Sequence, residues 1–252
     1  MSKFIESGHP KNVAKLGILI EFVDAYGATY NPSRTALTVA SLKVLETDSY
    51  AAIDAVTDRL ADYEDAINRR QAVFADLRKR ATRIMAALKA SGTTEALYDD
   101  ARGFNRKIQG QRAIKPPTNP DPNAPAPNTV SVSQQSFDQL IQHLKGLISI
   151  LKTEPNYAPN ENDLKIATLD SYVADLLDKN NKVAVAVAAI SNARIDRDKV
   201  LYKKETGLYD IAMAVKLYVR SVFGTTSPEY AQVKSLSFTN RKLWPPAGLA
   251  NT

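Results

Sequence analysis

The chain has 252 residues, 44% of them hydrophobic and 24% charged, enough apolar material for one large soluble domain or two modest ones. Without a single cysteine it can build no disulfide, zinc-thiolate site, iron–sulfur cluster or thiol nucleophile. The net charge of +6 is spread evenly over residues 1–113 and 129–252, so no basic tail marks a polyanion partner.

Met1 to Ser7 has neither an apolar segment of signal-peptide length nor a small-residue cleavage site. The longest apolar run, Val183 to Ile190, is too short to cross a bilayer, so a cytoplasmic chain without a membrane partner is expected. His9 falls in Ser7-Gly8-His9-Pro10, a loop by its glycine and proline. From Val13 to Tyr26 apolar residues recur at helical spacing, and Gly27 stops them. Ser33 to Ser91 contains neither glycine nor proline, which predicts long helices. Projected at helical spacing, Val56, Leu60, Tyr63, Ile67, Phe74, Leu77, Ala81, Met85 and Leu88 share one face, and Asp62, Asp65, Arg69, Asp76, Arg80 and Arg83 gather opposite. Thr47-Asp48-Ser49 carries capping residues and predicts a turn before that face begins. A short closing helix is expected over Thr94 to Lys107, after Gly92.

Six prolines then fall between Pro116 and Pro127, a composition that opposes helix and sheet and reads as a semi-rigid tether. Beyond it a helix is expected over Ser136 to Lys152, with His143 as a partly exposed structural histidine. Asn160 to Glu205 again lacks breakers, and the Val183 to Ile190 run inside it reads as a buried helix turn. Asp210 to Phe223, between Gly207 and Gly224, is one more helix, and Ser227-Pro228-Glu229 opens another.

The sequence also repeats itself across the tether. Tyr30, Pro32, Leu37, Ala40 and Leu42 match Tyr157, Pro159, Leu164, Ala167 and Leu169 without a gap. Leu16 and Ile20 match Leu140 and Leu144, and Asn68, Arg70 and Leu77 match Asn192, Arg194 and Leu201 after a short shift. The expected fold is therefore all-α, two tandem antiparallel helical bundles made by internal duplication and joined by a proline-rich linker. The expected boundaries are an N-terminal bundle over residues 1–113, a linker over 114–133, a C-terminal bundle over 134–237 and an irregular tail over 238–252.

Motifs for chemistry are missing from the text. Neither His9 nor His143 has a glutamate three residues before it, which excludes the usual di-metal bundle site, and no phosphate loop, dinucleotide turn or nucleophile elbow occurs. No catalytic residue, metal or cofactor is assigned. The basic cluster Arg69, Arg70, Arg78, Lys79, Arg80 and Arg83 is the best nucleic-acid candidate, but Asp62, Asp65 and Asp76 interrupt it. Two interaction candidates remain. Arg241, Lys242 and Trp244 form a basic, aromatic tail suited to anchoring a partner. Asn68, Arg70, Asn192 and Arg194 place polar groups at repeat-equivalent positions, as a buried network fixing helix register would. The leading expectation is a non-enzymatic structural or protein-interaction scaffold that binds a protein partner or its own copies. A basic nucleic-acid-associated protein and a small-molecule-binding bundle are the alternatives.

Overall fold

Long stretches free of glycine and proline let the backbone continue its i to i−4 hydrogen bonds, and the computed structural model, which describes residues 8–111 and 135–240, is helical through them. In chain order the helices are α1 (Gly8–Ala25), α2 (Val39–Ala75), α3 (Leu77–Ala90), α4 (Glu95–Gln109), α5 (Phe137–Leu151), α6 (Ile166–Tyr202), α7 (Leu208–Phe223) and α8 (Pro228–Ser235). Short 3-10 turns at Gly27–Thr29 and Thr35–Leu37 precede α2, and one at Asn162–Leu164 precedes α6. No strand occurs among the described residues, and no helix there is long and apolar enough to cross a membrane.

Side-chain caps set several starts. The hydroxyls of Thr94, Ser136 and Ser227 accept from the amides of Leu97, Gln139 and Tyr230 at 3.4, 3.3 and 3.0 Å, and Pro228 occupies the first turn, where no amide hydrogen is needed. The turn expected at Thr47-Asp48-Ser49 does not form, and α2 runs straight through it. The reason is local: Thr47 Oγ1 donates to the Lys43 carbonyl at 3.0 Å and Ser49 Oγ to that of Leu45 at 2.6 Å, so both hydroxyls turn back along the helix instead of capping a new one. His9 is likewise not in a loop. Helix α1 begins at Gly8, with Pro10 tolerated in its first turn. His143 is buried rather than partly exposed, because α5 packs a broad face containing Leu140, Leu144, Leu147 and Leu151.

The described residues divide into two compact units. Unit 1 joins the chain up to Asp62 with the chain from Val187 onward, and unit 2 comprises Tyr63–Ala186. In unit 1, Val13, Leu16 and Ile20 of α1 and Leu42 of α2 share a core with Leu201 of α6, Ile211, Val215 and Val219 of α7 and Val233 of α8. In unit 2, Phe74 of α2, Leu77, Ile84 and Leu88 of α3 and Ile108 of α4 share a core with Leu144, Leu147 and Leu151 of α5 and Leu169 and Leu176 of α6. Each core therefore draws on sequence from both sides of residues 114–133. This corrects the expected division into 1–113 and 134–237: the boundaries lie inside α2 and α6, because α1 and the first half of α2 bury their apolar faces against α7 and α8 and not against α3 and α4. The proline-rich segment 114–133 itself lies outside the described residues.

Polar ties repeat that pairing. In unit 1, Asn12 exchanges two hydrogen bonds with the Thr239 backbone, at 2.8 and 3.0 Å, which pins the irregular residues 236–240 to α1. In unit 2, Thr93 Oγ1 donates to Glu154 at 2.6 Å, and Tyr172 Oη donates to the Val73 carbonyl at 2.7 Å. With the Asn156 amide, the Thr93 hydroxyl holds the Glu154 carboxyl below its ordinary range.

Ahead of each long helix a buried tyrosine closes the preceding loop. Tyr30 Oη donates to the Leu37 carbonyl at 2.6 Å, and Tyr157 Oη to the Leu164 carbonyl at 3.0 Å. Burial, and then the nearby Glu161 and Asp163 carboxylates, pushes Tyr157 up to about 12. Below pH 10 this tyrosine is neutral in folded and unfolded chains alike. Above 10 the unfolded chain releases the proton and the folded chain does not, so stability falls between pH 10 and about 12. Tyr157→Phe is expected to cost about 1–3 kcal/mol at pH 8 by leaving the Leu164 carbonyl unsatisfied. It should also flatten the alkaline fall. Urea melts at pH 8 and pH 11 test both, and an unchanged alkaline slope would assign the fall to other groups.

Candidate functional site

The amphipathic pattern of α2 and α3 is the first guide to what each unit presents. Val56, Phe74, Leu77, Ala81, Met85 and Leu88 are buried as their spacing requires, while Asp62, Asp65 and Arg69 stand outside. The arginines of the basic cluster on this surface are committed to the chain itself. Arg69 pairs with Asp65 at 2.7 Å and Arg80 with Asp76 at 3.1 Å, with the Arg80 guanidinium 4.2 Å from the Tyr172 ring centre. Arg83 is bound to Asp163, and Arg78 donates to the Ile108 carbonyl at 3.3 Å and to Gln135 at 3.0 Å. Phosphate recognition would compete with each of these contacts.

The four polar positions matched by the repeat do not form one buried network. Asn68 and Asn192 are exposed, and Arg70 and Arg194 are half-buried in different units. Arg70 donates to Asn180 at 3.2 Å and stacks on Phe137, 4.0 Å from the ring centre, while Asn180 donates to Asp138 at 2.8 Å. Phe137 in turn meets Phe74 edge to face at 4.7 Å. Helices α2 and α6 are each 37 residues long. Counted from their first residues, Arg70 corresponds to Arg197 rather than to Arg194, a shift of less than one turn from the match read in the sequence. The tail residues Arg241, Lys242 and Trp244 lie outside the described residues.

Unit 1 holds a different arrangement around Arg197. This side chain is buried, and its Nε and Nη2 donate to Asp198 at 2.9 and 2.7 Å. Asn12 Nδ2 donates to Tyr202 Oη at 3.4 Å, and His9 Nδ1 lies 2.8 Å from the same oxygen. His9, Arg194 and Arg197 rim a cavity of about 230 Å³ whose wall is Ile53, Val56 and Leu60. Sequence reading placed His9 in a loop and took Arg197 as part of a basic cluster broken by Asp196 and Asp198, since only the meeting of α1, α2 and α6 brings His9 and Arg197 together.

Unit 2 has a wider, more open groove of about 550 Å³ between α3 and the loop before α6, lined by Arg83, Ala87, Ala90, Tyr157 and Pro159. Hydrogen bonding across its mouth raises the Arg83 pKa and lowers that of Asp163. Among the described residues, no three histidine, aspartate or glutamate side chains gather as metal ligands.

The third surface is on α6. The Val183 to Ile190 run is helical but not a buried turn. Only Val183, Ala186 and Ile190 are covered, while Val185 is 69% and Val187 47% exposed, with Ala184 and Ala188 exposed beside them. One-sided packing explains this: a helix that meets its neighbours along a single stripe leaves the rest of an apolar run in water. The chain matches no protein-family model, no curated protein and no solved structure.

Proposed function

We propose that the chain is a non-enzymatic structural scaffold, two helical bundles made by duplication of one helical pattern, that associates with a second copy through α6. The observation that carries this reading is the uncharged, exposed face of Ala188, Asn192 and Ile195, which lie at i, i+4 and i+7 on one side of α6 within unit 1. Two copies of this helix laid antiparallel bring Ile195 of each copy toward Ala188 of the other. Ala188 allows close approach, and burying Ile195 of each copy supplies apolar area. The duplication reading has its own support in the equal lengths of α2 and α6 and in the matching tyrosine–carbonyl bonds ahead of them.

Size exclusion with light scattering tests the association. The wild-type chain should shift from monomer toward dimer mass as concentration rises. The Ala188→Glu, Ile195→Glu double variant should stay monomeric with unchanged helicity, since both positions face solvent in the monomer. A wild-type monomer at every concentration, or a dimer that the double variant leaves intact, would reject this reading.

A further inference from the structure

Helices α3 and α7 hold the same place in their units. Each follows one of the two long helices and packs on the 3-10 turn that precedes the other, α3 on Asn162–Leu164 and α7 on Thr35–Leu37. Counted from the first residues of α3 and α7, Leu77 coincides with Leu208, Ile84 with Val215 and Leu88 with Val219, and all six are buried. In that register Ala87 stands where Tyr218 does, Ala86 where Leu217 does, and Ser91, the C-cap of α3, where Val222 does. In unit 1 the Tyr218 ring lies edge to face on Tyr30, the tyrosine whose hydroxyl closes the loop before α2, with 5.3 Å between ring centres. In unit 2, Tyr157 closes the corresponding loop, but Ala87 brings no ring to it. The open groove of about 550 Å³ lies there, with Ala86, Ala87, Ser91 and Tyr157 in its lining. The comparison uses the shared pattern of burial and needs no common origin of the two units.

A seat that unit 1 fills with one of the chain's own rings is thus open in unit 2, and this defines the body of a ligand. Paired rings prefer the edge-to-face arrangement that Tyr218 adopts on Tyr30, so a single ring of that size suits Tyr157. Charge defines the head group. Arg83 is committed to Asp163, whose two carboxylate oxygens accept from its two terminal nitrogens. Glu161, exposed in the same lining, has no ion-pair partner among the described residues, and its negative field already acts on Tyr157. The groove therefore sets one uncompensated carboxylate beside an aromatic seat. A chain of net charge +6 repels cations as a whole, so a preference for a cationic ligand has to come from this local carboxylate. We propose that the groove binds a small aromatic amine, its ring on Tyr157 as Tyr218 sits on Tyr30 and its ammonium on Glu161. The proposal does not depend on pairing through α6.

Tyramine is the probe, titrated into the isotope-labelled full chain and followed by the amide NMR signals of Ala86, Ala87 and Ser91. Desaminotyrosine carries the same phenol with a carboxylate in place of the amine, and ethylamine carries the charge without a ring. Tyramine should move these signals saturably with a Kd of about 1 mM, as expected for a ligand of so few atoms. Both analogues should bind more weakly by about threefold or more. Glu161→Gln should weaken tyramine about threefold, the scale of one exposed ion pair, without weakening desaminotyrosine. Ala87→Tyr, which supplies the ring that unit 1 has at this place, should abolish binding and keep the helicity. Glu161 is exposed, so its variant keeps the test decisive if Ala87→Tyr folds poorly. Either analogue binding as tightly as tyramine, tyramine binding that survives in a folded Ala87→Tyr or is unchanged in Glu161→Gln, or no saturable shift at about tenfold above that Kd would each overturn the proposal.

Discussion

Residues 1–113 and 134–252, produced as separate chains, are expected to be poorly folded alone and to recover a cooperative, helical state when mixed in equal amounts. The reason lies in how the cores are shared. Residues 1–113 alone would expose Val13, Leu16 and Ile20 of α1, whose partners on α7 and α8 are absent, and also Ile84 and Leu88 of α3, whose partners on α5 and α6 are absent. At about 1.5–3 kcal/mol for each large apolar side chain left uncovered, the loss exceeds the total stability of an ordinary domain. Circular dichroism and light scattering on the halves and on their mixture give the answer. Two halves that each melt cooperatively as monomers would contradict the shared cores and restore the division at the proline-rich segment. The same logic predicts that cutting the intact chain between Pro116 and Pro127 leaves the two pieces bound together.

Why the division was not legible in the sequence follows from particular residues. Periodicity identifies which face of α1 is apolar, and Val13, Leu16, Ile20 and Val23 are all buried as expected. It carries no information about which other apolar face covers them, and the proline-rich segment, a strong local signal, suggested that neighbours in sequence were neighbours in space. Helix ends with side-chain caps, at Thr94, Ser136 and Ser227, were legible because a cap is a local hydrogen bond. The false turn at Thr47-Asp48-Ser49 arose because the same hydroxyls can serve a cap or bond backward to a helix carbonyl, and burial of Ser49 decides between the two. The cavity was invisible for a related reason. His9, Ile53, Val56 and Arg197 lie far apart in the chain, and none belongs to a motif. Residue identities pair Asn68 and Arg70 with Asn192 and Arg194, whereas counting from the first residues of α2 and α6 pairs Arg70 with Arg197.

Gly207→Ala is expected to destabilise unit 1 by about 3 kcal/mol, at the upper end for an added methyl in a packed site. Gly207 caps α7 and its amide donates to the Lys203 carbonyl at 2.7 Å, which folds the chain sharply back onto the last turn of α6. A Cβ there would lie 2.6 Å from the Lys203 nitrogen, 2.8 Å from the Lys203 oxygen and 2.8 Å from the Tyr202 nitrogen. These are backbone atoms, so no side-chain rotation relieves the clash, and either the turn opens or α6 frays. The second course moves Tyr202, which holds His9 and Asn12 together, so the strain reaches the start of α1 and, through Asn12, the Thr239 backbone. Gly17→Ala is the matched control. Its Cβ would come 2.5 Å from Glu46 Oε1, an equally close approach, but to the tip of a flexible side chain that can swing away while the Glu46 Cδ stays at 3.6 Å. Its cost should stay within about 0.5 kcal/mol, offset by the better helix propensity of alanine. Urea denaturation of the two variants beside the wild type reads the contrast directly. Equal midpoints for Gly207→Ala and Gly17→Ala would show that the turn between α6 and α7 is loose enough to absorb a methyl group, and that the rim of the cavity in unit 1 is not held from that side.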